Sequence, residues 1–466
     1  MTRIELPGTG DLEVVQVHTP GLGDNSYVLR SGGELAVVDP QRDLDRIEAV
    51  LQQLGGRLVA VLETHVHNDY VSGGPALAAR HGAAYGVPAD AGHTVAHTAL
   101  SDGDEVSVGA VRLRALHTPG HTPHHISYAI VDGDGTHGVF TGGSVLVGAC
   151  GRTDLISPEQ TEGLTRSQYR SAQRIAALGE PAAIAPTHGA GSFCAASAAS
   201  ADTWSTVARE RTRNPAYLAA GEDEFVRGQL SGLLAYPAYY SQMAALNRRG
   251  LEAWEAGPVA MLSPADVEQR QSQGEVVVDG RSRGAFAAGH IPGSVNIELD
   301  VQFGTYIGWL LPFGAPVVLV LDPGQDPGEA VRQCARIGIE SIVGVLEGGI
   351  AAWTASGRRT STYATTDVDD LHRALEAGSG SGLDVRQDAE WTAGHVPGAR
   401  HLHVADLPGR VEELRDMAAP VYVYCRTGHR AAIAASMLDA AGISAVHVDG
   451  GFPDWVEHGY AVSDTA

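Results

Sequence analysis

An internal repeat in the second half of the 466-residue chain restricts its fold more than any other feature. Three short motifs occur twice in the same order: Asp279-x-Arg281 and Asp384-x-Arg386, Ala288–Gly293 and Ala393–Gly398, and Gly348-Gly349-x-x-x-Trp353 and Gly450-Gly451-x-x-x-Trp455. The copies lie roughly 100 residues apart, which is the length of a domain rather than of a solenoid repeat. Because each copy alternates strand-like and helix-like segments, we expect two consecutive α/β domains with parallel sheets.

A cysteine follows a strand-like run in the second copy. Val421–Tyr424 predicts the strand, Cys425 comes directly after it, and Ala431–Ala441 predicts a helix. Backbone N–H groups at a helix N-terminus, together with arginines, stabilise a thiolate or a persulfide. The predicted sulfur-carrying site therefore has Cys425 and Arg430 as catalytic residues and Arg426 and Gly428 as substrate-binding residues.

The first copy lacks this chemistry. Its equivalent strand, Val317–Leu321, is followed by Asp322, and Pro327 takes the place of Arg430. An aspartate cannot carry a sulfane sulfur, so we expect this copy to be catalytically inactive.

The three repeated motifs together resemble rhodanese domains, and the spacing from Cys425 to Arg430 matches the six-residue loop of that family. The resemblance implies an inactive rhodanese-like domain over residues 258–360 and an active one over residues 365–466. It also implies sulfurtransferase activity, with thiosulfate or sulfite as small-molecule partners.

Histidines follow strand-like runs in the first half of the chain. The run Leu58–Leu62 precedes a segment with two histidines and an aspartate, and two further histidines follow other apolar runs beside Pro and Gly. Loops at strand ends commonly carry binding residues, and imidazoles with a carboxylate are metal ligands. The predicted metal ligands are His65, His67, Asp69, His121 and His188.

This pattern resembles the metallo-β-lactamase superfamily, and Gly151-Arg152-Thr153-Asp154 is similar to its persulfide dioxygenase and glyoxalase II branch. The resemblance implies an αββα domain over residues 1–250, with Arg152 near the substrate. Tyr70 replaces the last histidine of the first motif, and Gly143 replaces the aspartate that bridges two metals. We therefore expect one divalent metal per chain, iron(II) by resemblance or zinc as the alternative, and a gain in metal affinity when Gly143 is changed to Asp.

The net charge restricts the possible binding partners, and the cysteine spacing indicates the redox environment. A formal net charge of −23 argues against nucleic acid and anionic membranes as partners. No apolar run is long enough to predict a membrane-spanning helix. The 4 cysteines show no CxxC spacing, which indicates reduced thiols and a cytoplasmic location. The sequence leaves the oligomeric state open, and a homo-oligomer is one of the options.

These observations predict an α/β multidomain enzyme of sulfur metabolism. Its metal domain would oxidise a low-molecular-weight thiol persulfide with O2, and its last domain would transfer sulfane sulfur. Two alternatives stay open, a zinc-dependent thioester hydrolase of the glyoxalase II type and a degenerate metal domain beside an active sulfurtransferase. Locally, the alanine-rich Ala195–Arg211 predicts a long helix, and Asn214–Gly250 is expected either to line the metal site or to connect the domains.

Overall fold

The computed structural model describes residues 1–6, 11–133, 135–197 and 199–464. The described chain forms two compact units, the first comprising Met1–Glu255 with Ala335–Gly338, and the second comprising Ala256–Cys334 with Ile339–Ala466. In the described residues no helix combines the length and the apolar character that crossing a membrane requires.

The first unit contains thirteen strands and seven helices among its described residues. The strands are β1 (Thr2–Ile4), β2 (Leu12–Thr19), β3 (Asp24–Ser31), β4 (Glu34–Val38), β5 (Arg57–Leu62), β6 (Ala84–Pro88), β7 (Thr98–Leu100), β8 (Glu105–Val108), β9 (Val111–His117), β10 (Ile126–Val131), β11 (Thr136–Gly142), β12 (Ala183–Pro186) and β13 (Ser205–Thr206). The helices are α1 (Asp45–Leu54), α2 (Gly74–His81), α3 (Pro158–Ala176), α4 (Val207–Glu210), α5 (Pro215–Leu218), α6 (Glu222–Ser231) and α7 (Tyr240–Arg249).

Two sheets pack face to face in this unit. Their strand orders are β1-β2-β3-β4-β5-β6-β7 and β13-β12-β11-β10-β9-β8. Their inner faces share one apolar core, which includes Tyr27, Leu62, Ile126 and Phe140. The outer face of the first sheet packs against α1 and α2, and that of the second sheet packs against α3. The arrangement confirms the expected αββα fold, and it brings the loops at the strand ends together.

The second unit contains ten strands and ten α-helices among its described residues. The strands are β14 (Met261–Leu262), β15 (Val276–Asp279), β16 (Val295–Asn296), β17 (Val317–Val320), β18 (Ile342–Leu346), β19 (Ala364–Thr366), β20 (Ser381–Asp384), β21 (Arg400–His401), β22 (Val421–Tyr424) and β23 (Ala445–Val448). The helices are α8 (Pro264–Ser272), α9 (Arg283–Ala288), α10 (Phe303–Leu310), α11 (Pro327–Arg336), α12 (Gly349–Ala355), α13 (Val368–Glu376), α14 (Asp388–Thr392), α15 (Leu407–Arg410), α16 (His429–Ala440) and α17 (Phe452–Glu457).

Two five-stranded sheets with the same topology form the centre of this unit. Their orders are β14-β18-β17-β15-β16 and β19-β23-β22-β20-β21. The strand pairs in both sheets are parallel. This confirms the two parallel α/β domains expected from the repeat. Strands β17 and β22 occupy equivalent places, so the loops that follow them can be compared directly.

The repeated motifs form an internal brace in each copy. In the first copy, Arg281 donates from Nε to Asp279 at 2.9 Å and from Nη2 to the Gly289 carbonyl at 2.8 Å. In the second copy, Arg386 makes the same bonds to Asp384 and to a carbonyl at the matching position, at 3.0 and 2.7 Å. The Asp-x-Arg motif therefore ties the end of a strand to the Gly-His motif, and this explains why the two recur together.

The prediction of a long helix over Ala195–Arg211 is wrong. Residue 198 of this range lies outside the described residues. The segment forms β13 and only the short α4. Ala195 forms a bridge with Gly151, and Ile184 of β12 is paired with Ser205. These backbone pairings override the helix propensity of alanine, which is a weak preference compared with tertiary contacts.

Candidate metal centre and sulfur-carrying loop

The loop after β5 carries the first candidate site. Every residue from Glu63 to Tyr70 is buried. Asp39, which follows β4, fixes the start of this loop by accepting from the N–H and from Oγ1 of Thr64, each at 2.7 Å. Asp39 has a φ of 52°, in the left-handed region that is uncommon for residues other than glycine. Such strain often accompanies functional sites, and the sequence reasoning did not identify Asp39.

The segment Asn214–Gly250 supports the same loop from outside. Tyr239 donates to the carbonyl of Asp69 at 2.9 Å, and Asn247 donates to the carbonyls of His67 and Tyr70, both at 2.8 Å. The segment thus packs against the histidine loop, and its expected role in lining the site stays a prediction. Tyr239 and Asn247 act there by holding the backbone of the histidine loop.

Three overlapping groups of side chains have donor atoms close enough to bind one metal ion. In each group, the donor atoms all lie within 4.8 Å of one another. The groups are His65, His121 and His188; Asp39, His65 and His67; and His67, Asp69 and His188. All five predicted ligands thus lie in one buried cluster, which Asp39 extends.

The group of three imidazoles is built from three different loops. His65 follows β5, His121 follows β9 and His188 follows β12. His65 Nε2 and His188 Nε2 are 3.3 Å apart. His121 Nδ1 donates to the carbonyl of Arg152 at 2.7 Å, which leaves Nε2 as the nitrogen with a free lone pair. Burial lowers the pKa of His121 to about 3 and holds the pKa of His65 well below its usual value, so both rings are neutral.

His188 also contacts two buried carboxylates. Its Nδ1 lies 2.8 Å from Asp24 Oδ1 and 3.1 Å from Asp69 Oδ2. Both carboxylates contact Nδ1, and Nε2 on the far side of the ring faces His65. Asp24 belongs to β3, and its distance along the chain hid it from sequence reasoning.

His67 is turned toward acidic groups. Its Nε2 is 3.0 Å from Glu63 Oε2, 3.3 Å from Asp39 Oδ1 and 3.1 Å from the Tyr70 hydroxyl. Burial alone would lower the pKa of His67, but Asp39 and Glu63 together raise it to about 10. In this arrangement Nε2 of His67 is committed to the carboxylates, and both ring nitrogens carry a proton near neutral pH, so Nδ1 could bind a metal only after losing its proton.

Tyr70 and Gly143 have different structural consequences. Burial raises the pKa of Tyr70 well above 10, so its hydroxyl stays neutral and is a poor ligand.

A Cβ placed on Gly143 would lie 2.7 Å from Cγ and 2.9 Å from Nε2 of His121. The His121 ring therefore fills the space that an aspartate at position 143 would need. This clash argues against the expected gain in metal affinity from Gly143→Asp, which stays a prediction.

The buried polar atoms of the cluster fit a divalent metal. Within the described residues, His121 Nε2, His67 Nδ1 and Asp69 Oδ1 are buried without a hydrogen-bond partner. A buried polar atom with no partner costs about 1–3 kcal/mol, so several of them together indicate a ligand. A cation that accepts the lone pairs of His121 Nε2 and Asp69 Oδ1 removes their share of this cost.

Arg152 makes several bonds inside the protein. Its Nε and Nη2 donate to the two carboxylate oxygens of Asp154 at 2.7 and 2.8 Å, and Nη1 donates to the Phe193 carbonyl at 3.0 Å. Tyr236 lies over its guanidinium at 4.5 Å. Substrate binding by Arg152 stays a prediction, and it would require some of these bonds to open.

The second candidate site is the loop between β22 and α16. Cys425 is buried at the end of the strand, and Arg426 and Thr427 are exposed. Gly428 has a φ of 83°, and it directly precedes the first turn of the helix. Glycine adopts this backbone conformation without strain, which explains the residue at this position. The loop thus has the strand–cysteine–helix geometry expected from sequence.

Arg430 is held beside this loop by Glu390 of α14. The guanidinium donates to both carboxylate oxygens, at 2.6 and 2.9 Å. Burial opposes the charge, but the Glu390 carboxylate raises the pKa of Arg430, so the guanidinium stays positive near Cys425. Catalysis by Arg430 stays a prediction.

The equivalent loop of the first copy is closed by a different side chain. Gln325 accepts from the Asp322 N–H at 2.8 Å and donates to the Gly280 carbonyl at 2.8 Å. This loop contains no thiol, and Gln325 takes the position that corresponds to Gly428.

Comparison with known proteins agrees with both halves of the structure. Residues 19–188 match the description "Metallo-beta-lactamase superfamily", and residues 263–356 and 367–458 match "Rhodanese-like domain". A solved metallo-beta-lactamase from Staphylococcus aureus subsp. aureus COL has a TM-score of 0.65 and 27% identity, covering 72% of this chain and 99% of that chain.

The chain therefore belongs to the metallo-beta-lactamase superfamily and carries two rhodanese-like domains. Two relatives indicate its branch. Persulfide dioxygenase ETHE1 from Homo sapiens is 30% identical over 43% of this chain and 74% of its own length. Hydroxyacylglutathione hydrolase from Acidiphilium cryptum is 37% identical over 34% of this chain and 62% of its own length.

Proposed function

We propose that this protein is an enzyme of sulfur metabolism in which a persulfide-oxidising metal domain is joined to a sulfurtransferase. The observation that carries the proposal is the Cys425 loop, because a cysteine between a strand and a helix N-terminus is suited to holding an anionic sulfur. The likeness of the metal domain to a persulfide dioxygenase supplies a matching substrate class. Joining the two on one chain raises the effective concentration of a shared intermediate.

The transfer step is a displacement at sulfur. The Cys425 thiolate attacks the outer sulfur of thiosulfate, the S–S bond breaks, and sulfite leaves with the electron pair. Cys425 then carries a persulfide, and a nucleophile such as cyanide or sulfite removes its outer sulfur and regenerates the thiolate. Arg430 and the amides at the start of α16 stabilise the negative charge on sulfur throughout.

A pair of variants tests this step. We expect Cys425→Ser to abolish sulfur transfer from thiosulfate to cyanide and Asp322→Ala to leave the rate unchanged. Thiocyanate formation is the measurement, and the second variant is the control because Asp322 holds the equivalent position. Retention of most activity by Cys425→Ser would overturn the assignment.

The metal domain would hold its ion with His65, His121 and His188. When bound, iron would supply the electron-transfer chemistry by which a thiol persulfide, O2 and water give sulfite and free thiol. The chain itself orients these ligands, since Asp24 and Asp69 hold His188 and the Arg152 carbonyl holds His121. Burial of the whole cluster keeps bulk water from the reacting groups.

A second candidate function follows from the donor set. Ferrous oxygenases commonly use two histidines and one carboxylate, whereas three imidazoles with a water suit zinc. His65, His121 and His188 are such a set of imidazoles. This observation favours a zinc-dependent hydrolase that cleaves a thioester, as a hydroxyacylglutathione hydrolase would.

Metal content and two assays on the full chain separate the candidates. The protein is purified without added metal and analysed for iron and zinc. It is then tested with glutathione persulfide for O2 uptake and sulfite formation, and with a glutathione thioester for hydrolysis. Iron with O2 uptake supports persulfide oxidation, and zinc with thioester cleavage selects the hydrolase. Absence of both metals, with sulfur transfer intact, would overturn both functions of the metal domain.

A further inference from the structure

Three carbonyl groups of the Cys425 loop are bonded to groups outside the loop. The Cys425 carbonyl accepts from the Phe452 N–H at 2.9 Å, and the Gly428 carbonyl lies 2.9 Å from His447 Nε2. The Thr427 carbonyl accepts from Nη1 of Arg283 at 3.0 Å. The first two partners belong to the same rhodanese-like domain as Cys425, whereas Arg283 belongs to the inactive one.

The planarity of the peptide bond gives these contacts a consequence for the loop amides. In a trans peptide the C=O of one residue and the N–H of the next point in opposite directions. When the Thr427 carbonyl points out toward Arg283, the Gly428 N–H is turned to the inner side of the loop. At the start of a helix such an N–H has no helical carbonyl to bind, and it is available to an anion.

Arg283 is fixed in the orientation that this contact needs. Its backbone N–H donates to Glu298 Oε1 at 2.7 Å, and its Nε and Nη2 lie 3.1 and 2.9 Å from Glu298 Oε2. A planar guanidinium held along one edge by a carboxylate has its remaining nitrogen directed elsewhere, here to the Thr427 carbonyl. A Cβ on Gly428 would lie 2.9 Å from Arg283 Nη1, so glycine also permits this close approach.

The active copy contains no arginine at the corresponding place. Arg283 follows Asp279-x-Arg281 by two residues, and Asp388 follows Asp384-x-Arg386 in the same way. The Asp388 side chain is 94% exposed. The cation that contacts the Thr427 carbonyl is thus contributed by the copy that has lost its own cysteine.

We propose that Arg283 of the inactive rhodanese-like domain is a positioning residue for Cys425. It holds the peptide between Thr427 and Gly428 in the orientation that turns an N–H toward the sulfur. Without Arg283 this peptide can rotate and turn a carbonyl oxygen toward the anion, which destabilises both the thiolate and the persulfide. This inference rests on the proposed sulfur-carrying role of Cys425, and it gives the inactive domain a defined function in that role.

The test uses the full chain and two substitutions of the same residue. Arg283→Gln removes the charge, and Arg283→Lys keeps a cation that can reach a carbonyl. The matched control is Arg270→Gln, because Arg270 belongs to the same domain and pairs only with Glu275 in the contacts described for it. Thermal unfolding of each variant verifies that the fold is retained.

Two readouts are needed. The first is thiocyanate formation from thiosulfate and cyanide. The second is the pH profile of iodoacetamide alkylation at Cys425, followed on the Cys425 peptide by mass spectrometry. The other ionisable groups around the loop are the same in every variant, and they are Arg426, Arg430 with Glu390, His429 with Glu298 and Asp300, Tyr306, and His447 with Asp449.

We expect Arg283→Gln to slow sulfur transfer by about tenfold or more, the effect typical of losing one charge-assisted hydrogen bond. The alkylation profile should shift to higher pH in Arg283→Gln, return toward wild type in Arg283→Lys, and stay unchanged in Arg270→Gln. An unshifted profile in Arg283→Gln would overturn the proposal, whether transfer is lost or kept. If the wild type transfers no sulfur, the proposed function fails, while alkylation still reports on Arg283 separately.

Discussion

The Gly143→Ala substitution tests the metal centre most directly. The new Cβ would lie 2.7 Å from Cγ and 2.9 Å from Nε2 of His121, well inside the contact distance of about 3.5–4.0 Å for carbon atoms. The imidazole must therefore move, or the backbone at Gly143 must shift. Either change displaces Nε2, the His121 nitrogen that is free to bind a metal.

The surroundings of His121 prevent a simple retreat of the ring. Its Nδ1 donates to the Arg152 carbonyl at 2.7 Å, and its backbone N–H donates to Gln168 at 2.9 Å. Gly151 also lies beside the ring, where an added Cβ would lie 3.0 Å from Nδ1. Overpacking of such a site costs about 1–3 kcal/mol of folding free energy. Loss of one ligand adds a fall in metal affinity that we expect to exceed tenfold, or about 1.4 kcal/mol.

A competition titration with a chelator measures the affinity, and urea unfolding of the metal-free protein measures the folding cost. Gly163→Ala on α3 is the control, because Gly163 is exposed and its added Cβ would meet no atom within 4 Å. That exchange should leave metal affinity unchanged and stabilise the helix by about 0.5–1 kcal/mol. Tighter metal binding by Gly143→Ala or Gly143→Asp than by wild type would refute the reasoning.

Three further predictions concern the metal ligands, the loop cysteine and a residue that supports the histidine loop. His188→Ala should abolish stoichiometric metal binding, measured by metal analysis after dialysis. His67→Ala should weaken metal binding less, because His67 Nε2 is committed to carboxylates. Equal losses in both variants would contradict this ligand set. Cys425→Ser should lose thiocyanate formation, yet bind metal as wild type does, since the two sites belong to separate units. Asn247→Ala leaves two carbonyls of the histidine loop without their donor and should lower the free energy of unfolding by about 1–3 kcal/mol in a denaturant titration.

The sequence predicted the site residues that share a local signal. His65, His121 and His188 each follow an apolar strand, the last two beside Gly or Pro, and the αββα fold brings such strand ends together. The structure places all three in one group of possible ligands. Their mutual approach follows from the fold class, although the sequence favoured His67 over His188 as the third imidazole beside His65 and His121.

The acidic residues of the cluster were not accessible in the same way. Asp24 and Asp39 lie on β3 and directly after β4, in segments with no repeated motif, and their role depends on side chains far along the chain. Only the order Val38-Asp39-Pro40, a carboxylate directly after a buried strand, gave a local signal. The contact between His121 and Gly143 was also not predictable from the sequence. Gly143 indicated a missing aspartate, but not that the His121 ring occupies the space of that aspartate.

The brace formed by Asp-x-Arg and the Gly-His motif is intact in both rhodanese-like copies, including the one with Asp322 in place of the loop cysteine. The repeated Asp-x-Arg and Gly-His motifs therefore stabilise the scaffold whether or not the copy has a cysteine in its loop. A match to that family reports the scaffold, whereas the presence of a reactive thiol depends on the few residues that follow β17 and β22. A duplicated domain can thus lose its own reactive cysteine and still position the cysteine of the neighbouring copy. The shared motifs are the same in a domain that carries sulfur and in one that only supports it.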